Sequence, residues 1–145
     1  MELSFKIGNI FDECGNEDIV HCVAADILSD PKSGTQGIAV EVQEHYLFKD
    51  ILDMSGANPK VGQCLYSEGV FNLITKEKYF LKPTNDTMLQ SLQSLKDLCK
   101  IRGVDSLRMP KIGCGLDKLD WYDVVSMIKE VFKDTDISIT VYSLY

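Results

Sequence analysis

Met109-Pro110-Lys111-Ile112-Gly113-Cys114-Gly115-Leu116-Asp117 is the stretch of this chain whose residue types and spacing best suit chemistry. Ser106-Leu107-Arg108-Met109 reads as the end of a buried strand, and Asp120-Trp121 opens a helix. Between them two glycines stand one residue apart, so backbone N–H groups can approach a diphosphate with no Cβ in the way. Gly-x-Gly alone is more often a plain tight turn. Asp117 changes the reading, because it sets a potential acid–base group beside a potential phosphate cradle. A branched side chain at Gly113 is then expected to occupy the diphosphate site.

The elements that must position this loop follow from periodicity. Leu3 to Ile7 alternates as a strand and leads into Gly8-Asn9-Ile10-Phe11. Asp18 to Val23 is a nearly continuous apolar run, as expected of a strand covered on both faces. A breaker-rich loop, Ser29 to Gly37, comes next. Ile38 to Met54, apolar at 38, 42, 46, 47 and 51, predicts a helix. Strands at Gln63 to Ser67 and Val70 to Thr75 flank the hairpin signal Glu68-Gly69. Thr84 to Ile101 carries Met88, Leu89, Leu92, Leu95 and Cys99 on one stripe, with Thr84 as N-cap and Gly103 as the stop. Trp121 to Phe132 is a further helix, and Ile137 to Tyr142 a final β-branched strand. Strands interleaved with helices predict one α/β domain over residues 1–145, three layers deep, around a mixed, mostly parallel sheet. Ligands of such sheets sit beyond the carboxyl ends of the strands, where the Asn9 turn and the glycine loop can meet.

Composition narrows the function classes. At 145 residues the chain can bury a core without staples. Apolar residues make up 45%, but no run approaches the roughly 20 residues that span a bilayer, so a soluble protein without a membrane partner is expected. Met1 to Lys6 shows no signal-peptide pattern. Five cysteines (Cys14, Cys22, Cys64, Cys99 and Cys114) are odd in number and form no Cys-x-x-Cys pair. That suits reduced thiols in the cytoplasm or nucleus rather than a disulfide framework. His21 and His45 stand far apart, so no metal site is expected. A net charge of −7 argues against a general nucleic-acid binder, although Lys76, Lys78, Lys82 and Lys111 could form a local basic patch.

Taken together, these residues resemble a macrodomain, the ADP-ribose-binding fold, and within it the terminal ADP-ribose protein glycohydrolase branch. The matching pieces are Gly8-Asn9-Ile10-Phe11, His21-Cys22, Gly37-Ile38-Ala39-Val40, Leu73-Ile74-Thr75-Lys76, Lys82-Pro83-Thr84, the Met109 to Asp117 segment, and Ile139 to Leu144. They span essentially the whole chain, in order. The resemblance implies a hydrolase with Lys76 as nucleophile and Asp117 as the base that takes its proton. Lys76 ends an apolar strand, so it should project into the cleft, where a deprotonated amine can attack a sugar anomeric carbon. The implied substrate is protein carrying ADP-ribose esterified to glutamate or aspartate. Related macrodomains act instead on O-acetyl-ADP-ribose, ADP-ribose 1″-phosphate or ADP-ribosylated DNA, and others only read ADP-ribose. No cofactor is implied, and a monomer is expected.

For binding, the backbone of Lys111, Ile112, Gly113, Cys114, Gly115 and Leu116 would cradle the diphosphate and distal ribose. Asn9 and Ile10 would meet the adenine end, and Tyr142 and Leu144 would cover it, although core packing serves equally well for Tyr142. Three features depart from the family pattern. Asn9 stands where many macrodomains carry Asp and can accept from the adenine amine only without charge assistance. Ala24 stands where relatives often carry Ser or Asn, at the cost of one ribose or phosphate contact. The Asp26 to Gly37 loop is longer than in close relatives, with Gln36 in place of a small residue, which reshapes the substrate entrance.

Overall fold

The computed structural model describes residues 1–12 and 17–144. Its ten elements run β1 (Glu2–Ile7), β2 (Asp18–Ala24), α1 (Ile38–Tyr46), α2 (Phe48–Met54), β3 (Cys64–Ser67), β4 (Val70–Lys76), α3 (Asn85–Arg102), β5 (Ser106–Met109), α4 (Trp121–Phe132) and β6 (Ser138–Ser143). One six-stranded sheet has the order β1-β6-β5-β2-β4-β3. Every neighbouring pair is parallel except β3 with β4, which the Glu68-Gly69 turn joins as a hairpin. The expected mixed, mostly parallel sheet is therefore present. The carboxyl ends of β1, β6, β5, β2 and β4 all open on the same side.

Alternation along the strands splits the core in two. Val20, Phe71, Leu73, Leu107, Met109, Ile139 and Val141 face α3 and α4, where Met88, Leu92, Leu95, Val124 and Ile128 meet them. Ile19, Val23, Val70 and Ile74 face the other way, against Val42 of α1 and Phe48 and Leu52 of α2. The capping of α3 is as its sequence predicts. Thr84 Oγ1 accepts from Thr87 N at 3.1 Å while Thr87 Oγ1 accepts from Thr84 N at 3.0 Å, and Gly103 closes the helix with a left-handed φ of 69°.

The single helix expected over Ile38 to Met54 is two. Leu47 takes the left-handed conformation at φ 50°, ending α1 and preceding α2. It is exposed, while Phe48 and Leu52 are buried. The break turns the second segment so that these two side chains reach the core. Gln43 stabilises it: its carbonyl accepts from Leu47 N at 2.9 Å and its Oε1 from Lys49 N at 2.9 Å. Cys22, Cys64, Cys99 and Cys114 are free thiols, and Cys14 lies outside the described residues. Among the described residues no helix is long and apolar enough to cross a membrane.

A polar pair crosses the centre of the sheet. His21 is fully buried, with Nε2 2.6 Å from Asn72 Oδ1, while the Asn72 amide donates to Leu65 O and Ser67 Oγ. With the amide oriented this way Nε2 donates, and Nδ1 has no partner among the described residues. Burial lowers the His21 pKa from 6.5 to about 4, partly countered by the Asn72 bond. The folded chain thus keeps His21 neutral where the unfolded chain takes up a proton. Stability should fall as pH drops from 6.5 toward 4, by about 3 kcal/mol from this residue alone. Urea unfolding across that range should show the slope in the wild type and a correspondingly flatter profile in His21→Gln.

Candidate active site

Strands β2, β4 and β5 build the site with their carboxyl ends. β4 ends in Lys76, paired with Ala24 across a register shift in β2, and Ala25 N donates to Lys76 O at 2.8 Å. This fixes where the Lys76 side chain leaves the sheet. β5 ends at Met109, and Pro110 turns the chain into the glycine loop. That loop folds on itself: Leu119 N donates to Gly113 O at 2.7 Å, Cys114 N to Lys111 O at 3.3 Å, and Lys118 N to Gly115 O at 3.2 Å. Gly113 has φ 74° and Lys118 φ 58°, left-handed positions that reverse the chain within a few residues.

The reversal presents Asp117 to Lys76. Nζ of Lys76 and Oδ1 of Asp117 lie 2.6 Å apart, with side-chain exposures of 14% and 15%. These groups are withdrawn from bulk water but still open to a ligand. A second tie crosses from the same segment, because Lys82 Nζ donates to the carbonyl of Leu116. Thus Lys76, at the end of β4, and Lys82, beyond it, both hold the tip of the loop that carries Asp117. Cys22, at the end of β2, lies beside this pair. Burial, and then the Asp117 carboxylate, push its thiol far above the ordinary range. Cys114 is pushed up to about 11 by burial and then by Asp120. Neither thiol competes as a nucleophile at neutral pH.

A cavity of about 500 Å³ opens over the pair, within the usual size for a small-molecule site. Eight of the residues expected from sequence line it: Ala24, Lys76, Lys111, Ile112, Gly113, Gly115, Leu116 and Asp117. Five do not. Cys114 turns its sulfur to Ile112 O and packs against the α3–α4 core. Asn9 Oδ1 accepts from Phe11 N at 2.9 Å, so its oxygen is engaged in a local turn. Ile10 is buried, with its carbonyl held by Arg108 Nη1 at 2.7 Å. Tyr142 is a core residue with Lys6 over its ring, and Leu144 is exposed. Asn9, Ile10, Tyr142 and Leu144 nevertheless follow or end β1 and β6, at the same end of the sheet as the cavity. Sequence reasoning missed Tyr79 and Phe80, and it flagged the loop holding Lys32 to Gly34 only as shaping the entrance without naming these residues, all of which line the cavity. An aromatic pair three residues past Lys76 was a usable signal. A serine in a breaker-rich loop was not.

No family model matches the chain. It is 36% identical to the ADP-ribose glycohydrolase OARD1 of Homo sapiens over 98% of this chain and 91% of that protein, and equally so to the Bos taurus protein of that name. In fold it is similar to the macrodomain of Thermus aquaticus DarG, at a TM-score of 0.77 and 19% identity, covering 97% of each chain. Thermosipho africanus DarTG, solved in complex with ADP-ribose, matches at a TM-score of 0.72 and 18% identity, over 97% of this chain and 41% of that one.

The two glycines of the loop do different work, which corrects the expectation that a side chain at Gly113 fills the cavity. A Cβ at Gly113 would meet Met88 Cε at 2.7 Å and Leu119 Cδ1 at 3.0 Å, at φ +74°. It would press into the core, not the cavity. A Cβ at Gly115 would meet nothing within 4 Å. Gly113→Val should therefore lower stability by about 1–3 kcal/mol or more through backbone strain plus the clash. Gly115→Val should melt within a degree or two of the wild type. Thermal unfolding of the two variants checks the assignment.

Proposed function

The chain belongs to the macrodomain family, and from that premise we propose that it is an ADP-ribosyl hydrolase that removes ADP-ribose from glutamate or aspartate side chains, with Lys76 as nucleophile. The observation that carries this reading is the 2.6 Å contact between Lys76 Nζ and Asp117 Oδ1 under the cavity. The shared name of the two curated relatives, ADP-ribose glycohydrolase, supports the reaction class.

In this reading the diphosphate lies over the backbone of Lys111 to Leu116 and the distal ribose reaches Lys76. The adenine end points toward Asn9, Ile10, Tyr142 and Leu144. Asp117 accepts a proton from Lys76, and the neutral amine attacks C1″ of the distal ribose. The bond from C1″ to the ester oxygen breaks, and the acidic side chain leaves as a carboxylate. Such a group is a weak base that needs no proton to depart. Water then replaces the amine at C1″, the amine recovers its proton from Asp117, and one proton passes to solvent. One water is consumed, and ADP-ribose and the restored side chain are the products.

The kinetic test is a comparison of variants on glutamate-linked mono-ADP-ribosylated protein. Lys76→Ala should lose turnover while holding ADP-ribose within a few-fold of the wild-type affinity, because the nucleophile acts mainly in the chemical step. Asp117→Ala should slow turnover by at least about a hundredfold. Full activity in Lys76→Ala would exclude the covalent route. Parallel loss of binding and turnover would make the protein a reader of ADP-ribose.

A further inference from the structure

The connection between β2 and α1 forms one wall of the cavity, and its polar groups can be followed one at a time. Ala24, before it, and Ala39, just inside α1, are buried, line the cavity, and offer only methyl groups. The Thr35 hydroxyl donates to Lys32 O at 2.6 Å. Asp26 accepts from Tyr79 N at 3.2 Å; its second oxygen has no partner, but Asp26 does not line the cavity. Ser33 differs from all of these. It is 1% exposed, it lines the cavity, and its Oγ has no hydrogen-bond partner among the described residues.

A hydroxyl buried without a partner has given up its hydration for nothing, which disfavours the folded state unless a ligand atom completes it. The main chain around Ser33 is held in place. Its N–H donates to Asp30 O at 3.0 Å, and its carbonyl accepts from Lys49 Nζ at 2.9 Å. The hydroxyl, with no bond to break, turns about a single torsion to face an incoming group.

The surroundings define that group. Helix α1, nine residues long, begins after Gly37 with no side-chain cap; Val40 N donates to Gly37 O at 3.3 Å, and the first-turn N–H groups have no side-chain acceptor. Ile38 and Ala39 of that turn line the cavity, as does Lys111 of the glycine loop. Asp117 is the single carboxylate among the lining residues, and it is paired with Lys76. Donors around an anionic ligand are what this wall supplies. Building on the ADP-ribose reading above, we propose that Ser33 is a ligand-binding residue whose hydroxyl donates to a phosphate oxygen of the bound diphosphate. The long loop thereby supplies a polar contact that Ala24 cannot.

Calorimetric titration of the full chain with ADP-ribose, ADP and adenosine, alongside the melting temperature of the unliganded protein, tests this. Ser33→Ala should weaken ADP-ribose and ADP about tenfold, the loss expected when a neutral donor to a charged oxygen is removed. Adenosine affinity should stay the same. The unliganded variant should melt at or above the wild-type temperature, because it removes an unsatisfied buried group. Wild-type affinity in Ser33→Ala, an equal loss for adenosine, or a loss of affinity matched by a lower melting temperature would each overturn the assignment. Failure of the wild type to bind ADP-ribose would instead remove the reading on which it rests.

Discussion

Lys76 and Asp117 are 41 positions apart in the chain and 2.6 Å apart in the fold. Much of the architecture around the cavity serves that one contact. Withdrawing two charges from water carries a desolvation cost that the attraction between them repays only in good geometry. The geometry comes from two rigid supports. Parallel pairing with β2 sets the end of β4, and the internal hydrogen bonds of the glycine loop set the carboxylate. The Lys82 tie to Leu116 joins the two supports directly. An amine beside a carboxylate at the floor of a cavity is the arrangement that the proposed chemistry would use.

The charge distribution follows the same logic. The chain carries a net −7, yet Lys32, Lys76, Lys82 and Lys111 all line the cavity, against Asp117 as the one acidic lining residue. An acidic protein with a cationic mouth repels anions over most of its surface and gathers them at one opening. Arg108 shows how a buried charge elsewhere is handled, by pairing. Arg108, on β5, reaches Ile10 O, Glu17 O and Tyr46 Oη, and so holds together the loop after β1 and the end of α1. Its guanidinium supports the ground on which the adenine end would rest.

Sequence periodicity was enough to read the strands, the amphipathic α3 and its caps, because those features depend on near neighbours. The break at Leu47 was not legible. No glycine or proline marks it, and the apolar stripe runs on through Leu47, so the break shows only once the burial of Phe48 and Leu52 is known. The roles of Gly113 and Gly115 were equally hidden, since which glycine faces a ligand depends on φ and not on spacing. Lys76 and Asp117 could be joined from sequence only through the family resemblance. No local pattern connects a strand end to a loop 41 residues away. Asn9 illustrates the converse. Its residue type suggested an acceptor for adenine, and the structure adds what spacing did not show: the oxygen also accepts from Phe11 N in a short-range turn.

The most direct test of the account is to capture the nucleophile. Glutamate-linked mono-ADP-ribosylated protein is incubated with Asp117→Ala and quenched with borohydride, and the adduct is mapped by peptide mass spectrometry. Where release of the adduct depends on Asp117 more than its formation does, the account predicts one ADP-ribosyl group, reduced onto the lysine at position 76, and none when Lys76 is also replaced. An adduct on Lys78 or any other lysine, or one that persists without Lys76, would contradict it.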